Sequence, residues 1–302
     1  MRPPVVKRVR TRRLRDGSYV AVAHGAAPLV VDERTALALE RSSSDQYQLI
    51  DVSLQAFLDE SDFTSNEGDE GDAPPASPSS RTSRVVSVSL GVAALLLAIT
   101  GCALFFHLGV PSYRSLVPSN VNPAGAVVTA LVVAIATAIP HELAHVVFGR
   151  TRRFRQRGLS FQILKGTATT NLTHVWAWTM PHRMAATGAG LVVDLAFLTF
   201  FMAATVFSTH WSLEVASAVM VLRILWQLRI HRNCDGRHML KMLLDDPLLT
   251  SNVAASGARS WKSGRPIRHR IWALATICGI TIEAAIILVW IGPALLLVAG
   301  IL

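Results

Sequence analysis

Hydrophobic and polar residues are distributed unevenly along the 302-residue chain. The first 83 residues are mixed, whereas long apolar stretches separated by basic segments follow. Val85–Val110 contains no formally charged side chain, and its 26 residues exceed the roughly 20 that a helix needs to cross a membrane. Four further apolar stretches are Asn122–Gly149, Met184–Ser208, a weaker one at Leu213–Ile230, and Ile271–Leu302. The pattern predicts a mainly α-helical, polytopic membrane protein with about five transmembrane helices.

The N-terminal part has the pattern of a small α+β module at 1–63. Asp16-Gly17 is a turn signal, Ser18–Ala23 reads as a short strand, and Asp32 stands where the N-cap of a helix from Glu33 is expected. The basic residues 1–15 are expected to form a solvated arm. Residues 64–83 are rich in Pro, Gly and Ser and predict a disordered linker to an 84–302 membrane domain.

Composition and charge support this division. Charged residues make up 16% of the chain, against about 25% in an ordinary soluble protein. Residues 1–83 hold 10 Lys/Arg and 13 Asp/Glu, whereas 84–302 hold 19 and 7. The basic residues cluster at 150–157 and 229–270, so the positive-inside rule predicts a cell-membrane protein with a cytoplasmic N-terminus. The net charge of +9 therefore reflects topology and does not indicate a nucleic-acid partner.

Candidate metal chemistry lies inside the second apolar stretch. His141-Glu142-Leu143-Ala144-His145 is an H-E-x-x-H pattern, and residues four apart on a helix differ by only about 40° in direction. His141 and His145 can therefore hold one metal ion, and Glu142 can take a proton from a water molecule that the metal activates. The alternative is a polar cluster that is satisfied within the membrane. The three widely spaced cysteines exclude a disulfide scaffold.

A zinc site usually needs a third protein ligand. Asp235-Gly236 follows the fourth stretch, 90 residues after His145, and by spacing alone it is equally an ordinary helix-terminating turn. H-E-x-x-H in one span with Asp-Gly at the end of a later one resembles the site-2-protease-like intramembrane zinc metalloproteases. The resemblance implies that His141, His145 and Asp235 bind Zn²⁺ and that Glu142 is the general base of a metalloendopeptidase.

The segment between these motifs resembles the same family over roughly residues 122–245. Gly158–Ile163 and Thr167–Leu172 alternate like the strands of the family's short hairpin, and a tryptophan, a basic pair and an Ala-Gly motif follow. Leu191 and Asp194 stand where the family has Pro and Asn. Asp194 is a secondary candidate for a residue that supports the site from the next helix. Arg223 and Glu283 are expected to pair with each other within the bundle. His174, His182, His231 and His238 are expected to be interfacial or structural rather than ligands.

The N-terminal module resembles the winged-helix-like leader-recognition domains of modified-peptide biosynthesis. The resemblance implies a protease that removes the leader from a ribosomally synthesised, post-translationally modified (RiPP, daptide-type) precursor, with residues 16–63 capturing the leader. Its partners would be a peptide or membrane-protein substrate and the lipid bilayer. The alternatives are regulated intramembrane proteolysis of an anti-sigma factor or signal-peptide remnant, and a non-catalytic membrane partner of a peptide exporter.

Overall fold

A computed structural model describes residues 5–44, 52–65, 74–151, 159–162, 167–170, 172–249 and 267–301. The described strands are β1 (Val5–Val6), β2 (Val9–Arg13), β3 (Tyr19–Ala23), β4 (Leu29–Val31), β5 (Thr64–Ser65), β6 (Leu159–Gln162) and β7 (Thr167–Thr170). The α-helices are α1 (Glu33–Ser44), α2 (Val52–Glu60), α3 (Arg81–Leu108), α4 (Tyr113–Leu116), α5 (Pro123–Phe148), α6 (Met180–Phe207), α7 (Trp211–Gln227), α8 (Asp235–Leu244), α9 (Ile267–Ala285) and α10 (Gly292–Val298).

The chain divides into two compact units, each built from three segments. The first unit comprises Met1–Val85, Val146–Ala186 and Lys241–Lys262. The second comprises Val86–His145, Thr187–Leu240 and Ser263–Leu302.

The first unit is organised around β3, the middle strand of an antiparallel sheet of order β2-β3-β4. Successive side chains of a strand point to opposite faces, so β3 contributes to two cores. Val20 and Val22 pack in a cluster with Trp176 and Trp178. Ala21 and Ala23 belong to a second cluster, whose other members are Val9, Ala26, Leu39, Leu58 and Phe63. The strand predicted at Ser18–Ala23 is therefore confirmed, and it is buried on both faces.

The turn and the helix start that were predicted in this region are also present. Gly17 has a φ of +91°, a conformation that a turn here requires and that glycine adopts without strain. Oδ1 of Asp32 accepts a hydrogen bond from the backbone N–H of Thr35 at 2.7 Å, which is the N-cap interaction. The same bond lowers the pKa of the Asp32 carboxyl.

The expectation of a solvated basic arm is wrong for residues 9–13. They form β2, whose backbone pairs with β3 from Val9 opposite Ala23 to Arg13 opposite Tyr19. Arg12 forms an ion pair with a buried carboxylate, since its Nη2 lies 2.6 Å from Oδ1 of Asp245. Strand pairing and this ion pair compensate for the low hydrophobicity of the segment.

Part of the predicted linker is ordered by hydrogen bonds within the first unit. The carbonyl of Pro75 accepts from Nε1 of Trp178 at 2.8 Å, and Oγ of Ser77 accepts from the backbone N–H of Thr179 at 3.2 Å. Residues 66–73 of the linker lie outside the described residues. The two strands predicted after the H-E-x-x-H helix are present as β6 and β7, which pair antiparallel from Leu159 opposite Thr170 to Gln162 opposite Thr167.

Four helices of the described chain are long and apolar enough to cross a membrane: Arg81–Leu108, Pro123–Phe148, Met180–Phe207 and the continuous helical stretch Ile267–Val298. Many of their large apolar side chains are exposed, as expected for surfaces that contact lipid rather than water. The fourth predicted span is the helix α7, whose 17 residues are at the short limit for crossing.

The last of the four stretches continues through Gly292-Pro293 without ending. Ile286–Ile291 forms a π-helical segment between α9 and α10. Proline has no N–H to donate, and the wider turn before it keeps the helix continuous.

Candidate metal centre

The H-E-x-x-H segment lies on α5, as the sequence predicts. Four residues make slightly more than one helical turn, so His141 and His145 are on the same face of α5. Both side chains are buried, and their ring centroids are 5.0 Å apart in an edge-to-face arrangement. Two imidazoles at this separation can bind one ion together.

Asp235 completes a group of three. It is the first residue of α8, and its Oδ2 lies 3.0 Å from Nε2 of His141 and 3.0 Å from Nε2 of His145. One ligand atom from each of the three residues lies within 4.8 Å of the others. Two imidazole nitrogens and one carboxylate oxygen are a donor set that suits zinc in a site open to a further ligand. The group can therefore hold a metal ion.

Asp235 is positioned by the end of α7. Its backbone N–H donates to Oε1 of Gln227 at 3.1 Å. The next residue, Gly236, lies against the same turn, and a Cβ there would stand 2.3 Å from the carbonyl oxygen of Gln227. The glycine of the Asp-Gly pair is thus required by a close backbone approach.

The helix α6 brings bare backbone to the two histidines. A Cβ atom at Gly190 would lie 2.5 Å from Nε2 of both His141 and His145. The absence of a side chain at this position leaves space beside the two ligand nitrogens. The small-residue run Gly188-Ala189-Gly190 was visible in the sequence, but its contact with the histidines was not.

The same helix supplies a carboxylate beside the site, that of the secondary candidate Asp194. Asp194 is fully buried, and its Oδ2 lies 2.9 Å from Nδ1 of His141. The other carboxylate oxygen, Oδ1, lies 2.9 Å from Nε of Arg223 on α7. The expectation that Arg223 and Glu283 pair with each other is wrong, because Asp194 is the ion-pair partner of Arg223. Glu283 pairs with Arg229, His231 and Arg232.

Glu142 follows His141 directly on α5 and is half-buried. It stands beside the face that carries the histidines. Its role as general base stays a prediction.

His174, His231 and Cys234 have contacts that fit structural roles. Nε2 of the buried His174 lies 2.6 Å from the carbonyl oxygen of Gly149, and burial lowers the pKa of this histidine. His231 contacts Glu283. Sγ of Cys234 donates to the carbonyl of Arg229 at 3.3 Å, and burial raises the pKa of its thiol.

Sequence reasoning missed two contributors to the centre, Gln227 and Arg223. Nothing in the sequence distinguishes Gln227 from any other polar residue at a helix end. Arg223 carried a usable signal, because a charge inside an apolar stretch normally has a buried partner.

Comparison with known proteins gives no match to any protein-family model, curated protein or solved structure.

Proposed function

We propose that this chain is a zinc metalloendopeptidase that hydrolyses peptide bonds at a membrane. The observation that carries the proposal is the convergence of His141, His145 and Asp235, from two segments of the chain 90 residues apart, on one position. The four long apolar helices support a membrane location. The motif pair resembles that of site-2-type proteases, in which this ligand set binds zinc.

His141, His145 and Asp235 would hold the ion, and Gly190 leaves it room. A zinc ion bound there supplies a Lewis acid that polarises the scissile carbonyl and makes water a better nucleophile. Glu142 then accepts the proton of the attacking water and transfers it to the amine nitrogen as the C–N bond breaks. Water adds its hydroxyl to the acyl carbon, and the products are a carboxylic acid and an amine.

The buried charges argue against a purely structural cluster. Two buried histidines, the buried Asp194 and the partly buried Asp235 lie together among apolar helices, and burying such groups is costly unless they serve a function. A non-catalytic exporter partner has no need for this set.

A direct test measures metal and cleavage in detergent-purified protein. Wild type should hold about one zinc per chain, and His141→Ala and Asp235→Ala should lose it. Glu142→Gln should keep zinc but cleave a peptide library, read by mass spectrometry, about 10²–10⁴-fold more slowly. Wild type without zinc, or equal cleavage by wild type and Glu142→Gln, would refute the proposal.

In its more specific form, the proposal is that the substrate is a modified RiPP precursor, whose leader is captured by residues 16–63. The support is the small sheet-and-helix module of β2, β3, β4, α1 and α2. Co-expression with the precursor encoded beside this gene should give leader-free product with wild type and full-length precursor with Glu142→Gln. Neighbouring genes for a sigma factor and its membrane-bound inhibitor would instead favour regulated intramembrane proteolysis.

A further inference from the structure

Asp194 is the most deeply buried carboxylate among the described acidic residues, with no exposed surface. A buried carboxylate is stable only when hydrogen bonds or a counter-charge compensate for its lost hydration. Asp194 has both, because Oδ2 faces Nδ1 of His141 at 2.9 Å and Oδ1 faces Nε of Arg223 at 2.9 Å. The two oxygens therefore connect a predicted metal ligand to a cation on another helix.

The contact with His141 has a direct consequence for the ring. A carboxylate only accepts hydrogen bonds, so Nδ1 of His141 carries the proton and donates it to Asp194. The other nitrogen, Nε2, then presents its lone pair on the side where Asp235 and Nε2 of His145 lie. One hydrogen bond thus sets both the tautomer and the orientation that metal ligation requires.

Arg223 is itself held by α5. Its Nη1 donates to the carbonyl of Ala134 at 3.2 Å and lies 3.5 Å from Oγ1 of the buried Thr137, one turn before His141. The guanidinium therefore joins the helix that carries the ligands to the helix that carries Asp194. Its position is fixed by the Asp194 carboxylate on α6 and by the two contacts on α5.

Helical spacing places the glycine and the carboxylate of α6 on the same side of the helix. Gly190 and Asp194 are four residues apart on α6, so they lie on the same face. Gly190 brings bare backbone beside Nε2 of His141, while Asp194 brings its carboxylate beside Nδ1 of the same ring. The face of α6 is thus complementary to both edges of the imidazole.

We propose that Asp194 and Arg223 form a positioning pair, in which Asp194 fixes the ring of His141 for metal ligation and Arg223 neutralises the buried carboxylate. This inference rests on the proposed metal site. It also accounts for two departures from an apolar pattern, Asp194 in the third predicted span and Arg223 in the fourth. The two charges are retained together because each is costly without the other.

The test separates the hydrogen-bond acceptor from the charge. Asp194→Ala removes the acceptor, whereas Asp194→Asn keeps an amide oxygen that can still accept from His141 but leaves Arg223 unpaired. Each is made alone and together with Arg223→Gln. Thr199→Val on α6 is the control, because its hydroxyl donates to the carbonyls of Leu195 and Leu97, neither of which belongs to the metal centre. The readouts are Zn²⁺ affinity, by competition with a chelator, and the thermal unfolding midpoint without metal.

Loss of an outer hydrogen bond to a ligating histidine typically weakens metal binding about 10–100-fold. We expect this loss in Asp194→Ala, with or without Arg223→Gln. Asp194→Asn should unfold at a lower temperature and bind zinc more weakly than wild type. Adding Arg223→Gln should raise the unfolding midpoint again and bring the zinc affinity to within a few-fold of wild type. Thr199→Val should bind zinc as wild type does.

Three results would overturn the positioning role. The first is an unchanged zinc affinity in Asp194→Ala. The second is an equal zinc affinity of Asp194→Ala and Asp194→Asn when each is combined with Arg223→Gln. The third is that the effects of Asp194→Asn and Arg223→Gln on the unfolding midpoint are strictly additive. If wild type binds zinc but cleaves no peptide, the proposed function fails and the positioning pair stands. A wild type that binds no zinc overturns both.

Discussion

Gly190 lies so close to His141 that a Cβ atom at position 190 would stand 2.5 Å from Nε2 of the histidine. Carbon atoms in contact are normally about 3.5–4.0 Å apart, so this space cannot accept a methyl group unless the helices separate. The methyl would also lie at the same distance from Nε2 of His145. The region between the two ligand nitrogens is therefore kept open by glycine.

Gly190→Ala should consequently abolish stoichiometric zinc binding and reduce stability by about 1–3 kcal/mol through overpacking. Gly188→Ala is the matched control on the same helix. There the new Cβ would meet Cε of Met239 at 3.2 Å, and this flexible side chain can move away. Zinc content and unfolding of both purified variants decide the matter, and a Gly190→Ala protein that retains one zinc per chain would contradict the prediction.

Gly236→Ala should displace Asp235 from the two histidines. The added Cβ would stand 2.3 Å from the carbonyl oxygen of Gln227, and a backbone atom at a helix end cannot yield as a side chain can. We expect zinc content well below that of wild type, measured by metal analysis. Gly91→Ala on α3 meets nothing within 4 Å and should bind zinc normally. Equal metal content in the two variants would show that the turn adapts.

The parts of the site that depend on local spacing could be predicted from the sequence. His141 and His145 share a helix face because of the helical repeat, and that placement needs no knowledge of the tertiary fold. Asp235 was different, since its spacing fitted a helix-terminating turn equally well and only the resemblance to a protease family selected it. The structure brings it to the histidines through the turn that follows α7.

Contacts between distant segments could not be predicted in the same way. Arg12 and Asp245 are 233 residues apart, and no periodic pattern connects them. Residues 9–13 were expected in a solvated arm because four of the five are polar, three of them basic. Their strand is stabilised by pairing with β3 and by the buried carboxylate of Asp245, and both depend on the tertiary fold.

Glu283 should contribute to the stability of the second unit through its three basic partners. One carboxylate oxygen lies 3.0 Å from Nη1 of Arg229, and the other contacts His231 and Arg232. Glu283→Gln removes the charge that these donors share and should lower the free energy of unfolding. The thermal unfolding midpoint should fall accordingly. Glu214→Gln changes an exposed side chain and should leave the midpoint unaltered. Identical midpoints for the two variants would show that the cluster adds no stability.

Asp245 should make the stability of the first unit depend on acid pH. Its Oδ1 lies 2.6 Å from Nη2 of Arg12 and 2.7 Å from Nη1 of Arg183, and its Oδ2 accepts from the backbone N–H of Arg15. Burial alone would raise the pKa of this carboxyl, but the hydrogen bonds from Arg12 and Arg183 outweigh burial and hold the pKa below its usual range. A carboxyl with a depressed folded-state pKa stabilises the fold above the unfolded-state pKa of about 3.9, and that contribution is lost as the pH falls through the folded-state value.

Asp245→Asn should therefore destabilise the protein by about 3–5 kcal/mol at pH 7, because the buried guanidinium of Arg183 and the partly buried one of Arg12 lose their counter-charge. The difference from wild type should begin to shrink as the pH falls below about 4, because the unfolded wild type then binds a proton at this carboxyl, and it should vanish once the pH passes the lower folded-state pKa. Unfolding of both proteins in detergent from pH 7 to pH 3 measures this convergence. Asp59→Asn, which changes an exposed carboxylate on α2, should parallel wild type throughout. A constant gap between wild type and Asp245→Asn at every pH would mean that the ionised carboxylate is not what stabilises the contact.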